Sequence, residues 1–168
     1  MLTSSERLQE RMAAERLAVP EQWHILTEAI IDGAEEVHET LGPGLPRESY
    51  GLALRHELGL RGQAVEPDRE IERWYKGVEL PRQRLDLVVN GLVVVQLASA
   101  DTDVHLGLAR LGAQLFGADA PIGLLINFDA GALRNGVYRR LNPEATVAKE
   151  LPPLERGTEM DPLRMLRA

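Results

Sequence analysis

The chain has 168 residues and a formal net charge of −7 at pH 7, with 44% hydrophobic and 27% charged residues, the size and balance of one soluble globular domain. It contains no cysteine, which excludes disulfides and thiolate metal sites. No apolar run reaches membrane-spanning length. The opening stretch MLTSSERLQERMAAER lacks the apolar core of a secretion signal, so the expected location is cytoplasmic, with no membrane partner. The acidic balance weighs against a general nucleic-acid binder, because phosphate neutralisation drives that binding.

Residues 4–18 read as a helix capped by Ser4 or Ser5, with Leu8, Met12 and Ala13 as a thin apolar stripe. Pro20 ends it. A second helix spans about 21–40, where Leu26, Ala29, Ile30, Gly33, Ala34, Val37 and Leu41 recur at three- and four-residue steps. Gly42-Pro43-Gly44 stops it. A third helix opens near Pro46 and closes near Gly62, with Tyr50, Leu54 and Leu58 as its buried face.

The period then changes. Residues 70–75 read as a strand and Lys76-Gly77 as a turn. Residues 84–89 (RLDLVV) and 92–97 (LVVVQL) are strands joined at Asn90-Gly91, a strong hairpin signal. Residues 103–116 form a helix bearing Val104, Leu108, Leu111 and Leu115. The run 122–128 (IGLLINF) suits a buried strand, and 137–141 suits an edge strand. From 144 onward the composition suggests an extended arm. This order predicts an α/β domain, a central mixed sheet flanked by helices, over 21–143. A helical extension precedes it over 1–20, and the arm follows over 144–168.

Four stretches, ILTEAIIDGAEEVHETLGPGL (25–45), YKGVEL (75–80), RLDLVV (84–89) and GLLINF (123–128), resemble the GxxExxY family. This is a branch of the PD-(D/E)XK nuclease-like superfamily. The resemblance implies a metal-dependent nuclease site. An Asp and a Glu on neighbouring strands hold a divalent ion, and a Lys two residues past the Glu activates water. A Glu on the first core helix adds to the site, and a later Gln completes it. Magnesium suits this chemistry because it supplies a hydroxide and positive charge at once and prefers carboxylate oxygens.

On these residues the site is degenerate. Asp86 occupies the Asp position. The Glu-x-Lys positions hold Gln96 and Ala98. The motif's Glu falls on Arg47 when Gly44 and Tyr50 are aligned, and the later Gln falls on Leu108, or on Arg110 if the helix is shifted. These vestigial positions predict no catalysis, no metal and no cofactor, with Arg47 pairing to Asp86 as a purely structural tie. A strict two-residue turn at Asn90-Gly91 would set Asp86 opposite Val95. A three-residue bulged loop would set it opposite Gln96, the arrangement the ancestral geometry needs.

A rival reading rebuilds a magnesium or manganese site from Asp86, Glu48 and Asp101. It competes with Asp101 and Asp103 serving as caps for the following helix, and with the turn of about 100° that a one-residue offset gives a side chain. His38 and His105 suit hydrogen-bonded structural roles, and no His spacing resembles a metal motif. Arg47, Arg82, Arg84 and Arg110 could line a non-catalytic phosphate groove. Trp74 and Tyr75 could stack on bases or pack in a core or interface. Leu163, Met165 and Leu166 suit an anchoring arm. The leading expectation is an inactive nuclease-fold scaffold that forms homo-oligomers through its two extensions. Alternatives are a nuclease with a migrated site or a nucleic-acid-binding module without catalysis.

Overall fold

The computed structural model describes residues 19–98 and 101–149. The helix expected at 4–18 and the anchoring residues Leu163, Met165 and Leu166 lie outside them.

Helix α1 runs Glu21–Leu41 and α2 runs Arg47–Leu60. Pro20 and Pro46 sit at the N-caps, where a missing N–H costs nothing. Gly42 ends α1 in a positive-φ conformation, and its N–H bonds His38 O at 2.8 Å. Gly62, also at positive φ, lets Gln63 N reach back to Leu58 O at 2.9 Å. This is the bonding of a glycine-terminated helix.

The face of α2 is as read: Tyr50, Leu54 and Leu58 are buried. The face of α1 differs. Trp23, Thr27 and Ile31 are buried with Ile30, Gly33, Ala34 and Val37, whereas Leu41 is exposed. Gly33 explains the rotation. A Cβ there would stand 3.0 Å from Leu58 Cδ2, so α1 and α2 cross closely at this point.

The sheet has five strands in chain order: β1 (Val65–Tyr75), β2 (Val78–Val89), β3 (Val93–Ala98), β4 (Ile122–Asn127) and β5 (Val137–Leu141). β1, β2 and β3 are antiparallel neighbours, β3 and β4 are parallel, and β5 is an antiparallel edge. Helix α3 (Val104–Gly117) is the crossover between the parallel pair. Helices α1 and α2 pack on one face of the sheet through Leu87, Val89, Val95, Leu124 and Ile126. Helix α3 covers the other through Leu108, Leu111 and Leu115 against Val88, Val94 and Leu125.

The strands of the first hairpin are longer than the sequence suggests. β1 begins at Val65 and β2 at Val78, joined through Lys76-Gly77, both at positive φ, as a two-residue turn requires. At the next turn Asn90 and Gly91 are at positive φ and Leu92 N bonds Val89 O at 3.0 Å. The register Leu87↔Val95, Val88↔Val94, Val89↔Val93 leaves Leu92 as an extra residue. Continuing it sets Asp86 level with Gln96, as the three-residue loop demands. Asn90 also ties down the α2–β1 connection, accepting from Ala64 N at 2.8 Å and donating to Gln63 Oε1 at 2.7 Å.

Past Pro143 the chain does not become an extended arm at once. Ala145 is buried, Thr146 N bonds Asp119 Oδ1 at 2.9 Å, and Thr146–Lys149 forms a short helix, α4.

Candidate functional site

Where α2 crosses the ends of β2 and β3, a cleft of about 280 Å³ opens. Arg47, Glu48, Gly51 and Arg55 line it from the helix, and Asp68, Arg84, Asp86 and Leu97 from the strands. Arg47, Gly51 and Arg55 are four residues apart, so they share one helix face. Gly51 permits the approach: a Cβ there would lie 3.2 Å from Leu97 Cδ1.

Asp86 is half-buried, and its Oδ2 accepts from Leu97 N at 2.8 Å. The expected ion pair with Arg47 does not form. Among the described residues no cation lies within 4.0 Å of this carboxylate, and Arg47 is exposed at the first turn of α2. Gln96 is buried, and its Oε1 has no hydrogen-bond partner among the described residues. Ala98 and Leu108 pack into the apolar cluster under α3.

The divalent ion used by nucleases of this kind does not fit these donors. Among the described residues no group of three or more His, Cys, Asp or Glu side chains could hold a metal. One carboxylate and one neutral amide oxygen are a weak set for an ion that dehydrates reluctantly. Glu48 and Asp86 share the cleft, but Asp101 is exposed in a turn outside its lining. Asp103 caps α3 instead, accepting from Leu106 N at 2.9 Å.

Of the four arginines read as a groove, Arg47 and Arg84 line the cleft. Arg110 is exposed on α3, across the sheet. Arg82 is held by Glu70, Glu72 and Glu79. Its bond to Glu70, with Glu72 beside it, raises its pKa above the ordinary arginine value. Sequence reasoning misses Arg55; only its spacing from Arg47 could have signalled it. Arg84 pairs with Asp68 at 3.4 Å, whereas Arg47 and Arg55 have no ion-pair partner among the described residues.

Beside the cleft, the Gly-Pro-Gly turn is held as a knot. The Tyr50 hydroxyl donates to Gly42 O at 2.5 Å and accepts from Leu45 N at 3.1 Å. Its ring stacks on Phe128, with centroids 4.5 Å apart. Gly44 N donates to Asp129 Oδ1 at 2.9 Å, and His38 Nε2 donates to Ala130 O at 2.9 Å. His38 is thus a structural residue. His105 is exposed and makes no such bond among the described residues, so the same role does not hold for it.

A helix–hairpin–strand–helix–strand order with Asp86 at the strand junction beneath α2 is the layout of a nuclease core. The family model for the PD-(D/E)XK nuclease superfamily matches residues 24–140. The chain belongs to the PD-(D/E)XK nuclease superfamily. No curated protein and no solved structure matches it. No helix among the described residues is long and apolar enough to cross a membrane.

Proposed function

We propose that this PD-(D/E)XK domain is a GxxExxY-type member that does not cut nucleic acid and acts as a cytoplasmic scaffold. The observation that carries this reading is the make-up of the cleft: Asp86 accepts from the Leu97 N–H, Arg47 and Arg55 stand on the helix wall, and among the described residues no group of three or more His, Cys, Asp or Glu side chains could hold a metal. What such a fold retains is its surface, and that surface exposes Trp74, Tyr75, Val78, Leu80 and Phe116. Large aromatic and aliphatic side chains in contact with water mark association sites.

The test is incubation of the purified chain and its Asp86→Ala variant with single- and double-stranded DNA and RNA in magnesium and in manganese. The expected result is no cleavage by either. Cleavage that the variant loses would overturn the reading.

A second reading has its own support. Among the described residues Arg47 and Arg55 have no ion-pair partners on their wall of the cleft, which suits a phosphodiester backbone held without chemistry. Binding that weakens steeply with salt and falls in Arg47→Ala/Arg55→Ala would favour it. No binding at low salt would end it.

A further inference from the structure

The β1–β2 hairpin has two unlike faces. Pairing sets Arg73 opposite Leu80 and Tyr75 opposite Val78, with Trp74 opposite Glu79. Opposed residues share a face, and alternate residues on one strand do too. Arg73, Tyr75, Val78 and Leu80 therefore form one face, on the α3 side. There the guanidinium of Arg73 stacks over Phe116 at 5.8 Å and donates to Ala113 O. Tyr75 and Val78 are each 61% exposed, Leu80 40% and Phe116 69%. Lys76 Nζ lies 5.5 Å from the Tyr75 ring centroid. Neither Arg73 nor Lys76 has a carboxylate within 4.0 Å among the described residues, so this front is apolar and basic.

The back carries Trp74, 60% exposed, among Glu70, Glu72 and Glu79. Arg82 is the cation that contacts those three carboxylates, so they outnumber it and the back is aromatic and acidic. Front and back are complementary in charge, and both are apolar at their centres.

We propose that the hairpin front seats the hairpin back of a second copy of this chain. The proposal gives the scaffold reading its partner and rests on that reading. Contact between two different patches does not close on itself at two copies. It continues to a ring or a filament. Arg73 and Lys76 on one copy then meet Glu72 and Glu79 on the next, while Tyr75, Val78 and Leu80 cover Trp74.

The test uses the full chain and two variants, a front variant (Tyr75→Ser/Val78→Asp) and a back variant (Glu72→Lys/Trp74→Ser). All substituted side chains are exposed, and circular dichroism checks that both variants fold. Sedimentation velocity is run from about 1 µM to about 300 µM. The wild type is expected to grow beyond a dimer with concentration. Each variant alone should associate at least about 30-fold more weakly, in line with loss of central apolar anchors. Mixed, the two variants should form a one-to-one pair and nothing larger, because one intact front meets one intact back.

A wild-type chain that stays monomeric overturns the proposal, including one that instead binds lipid vesicles or a different protein. So does a back variant that dimerises by itself, which would show front-to-front contact, and so does a front variant that assembles like the wild type. Nucleic-acid cleavage by the wild type would sink the scaffold reading while leaving the assembly result intact, so the two failures are distinguishable.

Discussion

The two sides of the first turns of α2 differ in what holds them. On one side the Tyr50 knot joins Gly42, Leu45 and Phe128, with Gly44 and His38 bound to the following segment at Asp129 and Ala130. On the other side Arg47, Glu48 and Arg55 project into an open cleft. Tyr50 and Phe128 at the centre of the knot are buried and the Tyr50 hydroxyl has its partners, so a change at Tyr50 leaves a cavity or an orphaned group. The cleft wall is exposed, so its side chains can change with little cost to folding.

That contrast can be broken most sharply at Tyr50. Tyr50→Ala should cost about 3–5 kcal/mol by removing a large buried side chain, read as a fall in the denaturation midpoint. Tyr50→Phe keeps the stacking and should cost about 1–2 kcal/mol for the lost hydroxyl bonds. An unchanged midpoint in Tyr50→Ala would erase the distinction between the two sides.

Next in size is Asp86→Ala, which should cost about 1–2 kcal/mol by removing the acceptor for Leu97 N. Millimolar magnesium should leave the melting temperature of the wild type unchanged, since a ligand stabilises only what binds it. A magnesium-dependent rise that Asp86→Ala abolishes would restore a metal site.

Arg134 offers a smaller effect away from both regions. It bridges Glu28, Asp32 and Glu35 of α1 at 3.2, 3.1 and 2.8 Å. Arg134→Ala should cost about 1 kcal/mol, as for an exposed network, and the loss should shrink in high salt. The bond to Glu35 raises the pKa of Arg134 above its ordinary value. A raised folded-state pKa gives stability that is complete below the unfolded value and fades only as pH climbs through the folded one. The arginine's own titration therefore leaves stability flat through neutral pH. The smallest effect belongs to Arg47→Ala/Arg55→Ala, expected within about 0.5 kcal/mol on stability. A larger loss would mean that the cleft wall is structural after all.

Much of the fold was legible because periodicity and turn chemistry are local. The faces of α2 and α3 and the turns at Lys76-Gly77 and Asn90-Gly91 follow from side-chain spacing and positive-φ residues, whereas the extra residue after Asn90-Gly91 was expected only from the family resemblance. The rotation of α1 was not legible. Leu26 and Leu41 fit the helical period, but the close crossing at Gly33 and Leu58 turns Trp23, Thr27 and Ile31 inward. The site divided in the same way. The identities at Arg47, Asp86, Gln96 and Ala98 are plain in the sequence, but the partner of Asp86 is not, because a backbone N–H carries no sequence mark.

The sequence by itself determined the order of elements, the absence of cysteine and the identities of Arg47, Asp86, Gln96 and Ala98, since each depends on residue identity or local spacing. Only the tertiary structure decided that Leu97 N, and not Arg47, satisfies Asp86, that Arg55 joins the cleft, and that the hairpin exposes two faces of opposite charge. Those outcomes depend on where distant segments meet, and strand register and helix crossing set that through packing across the whole core.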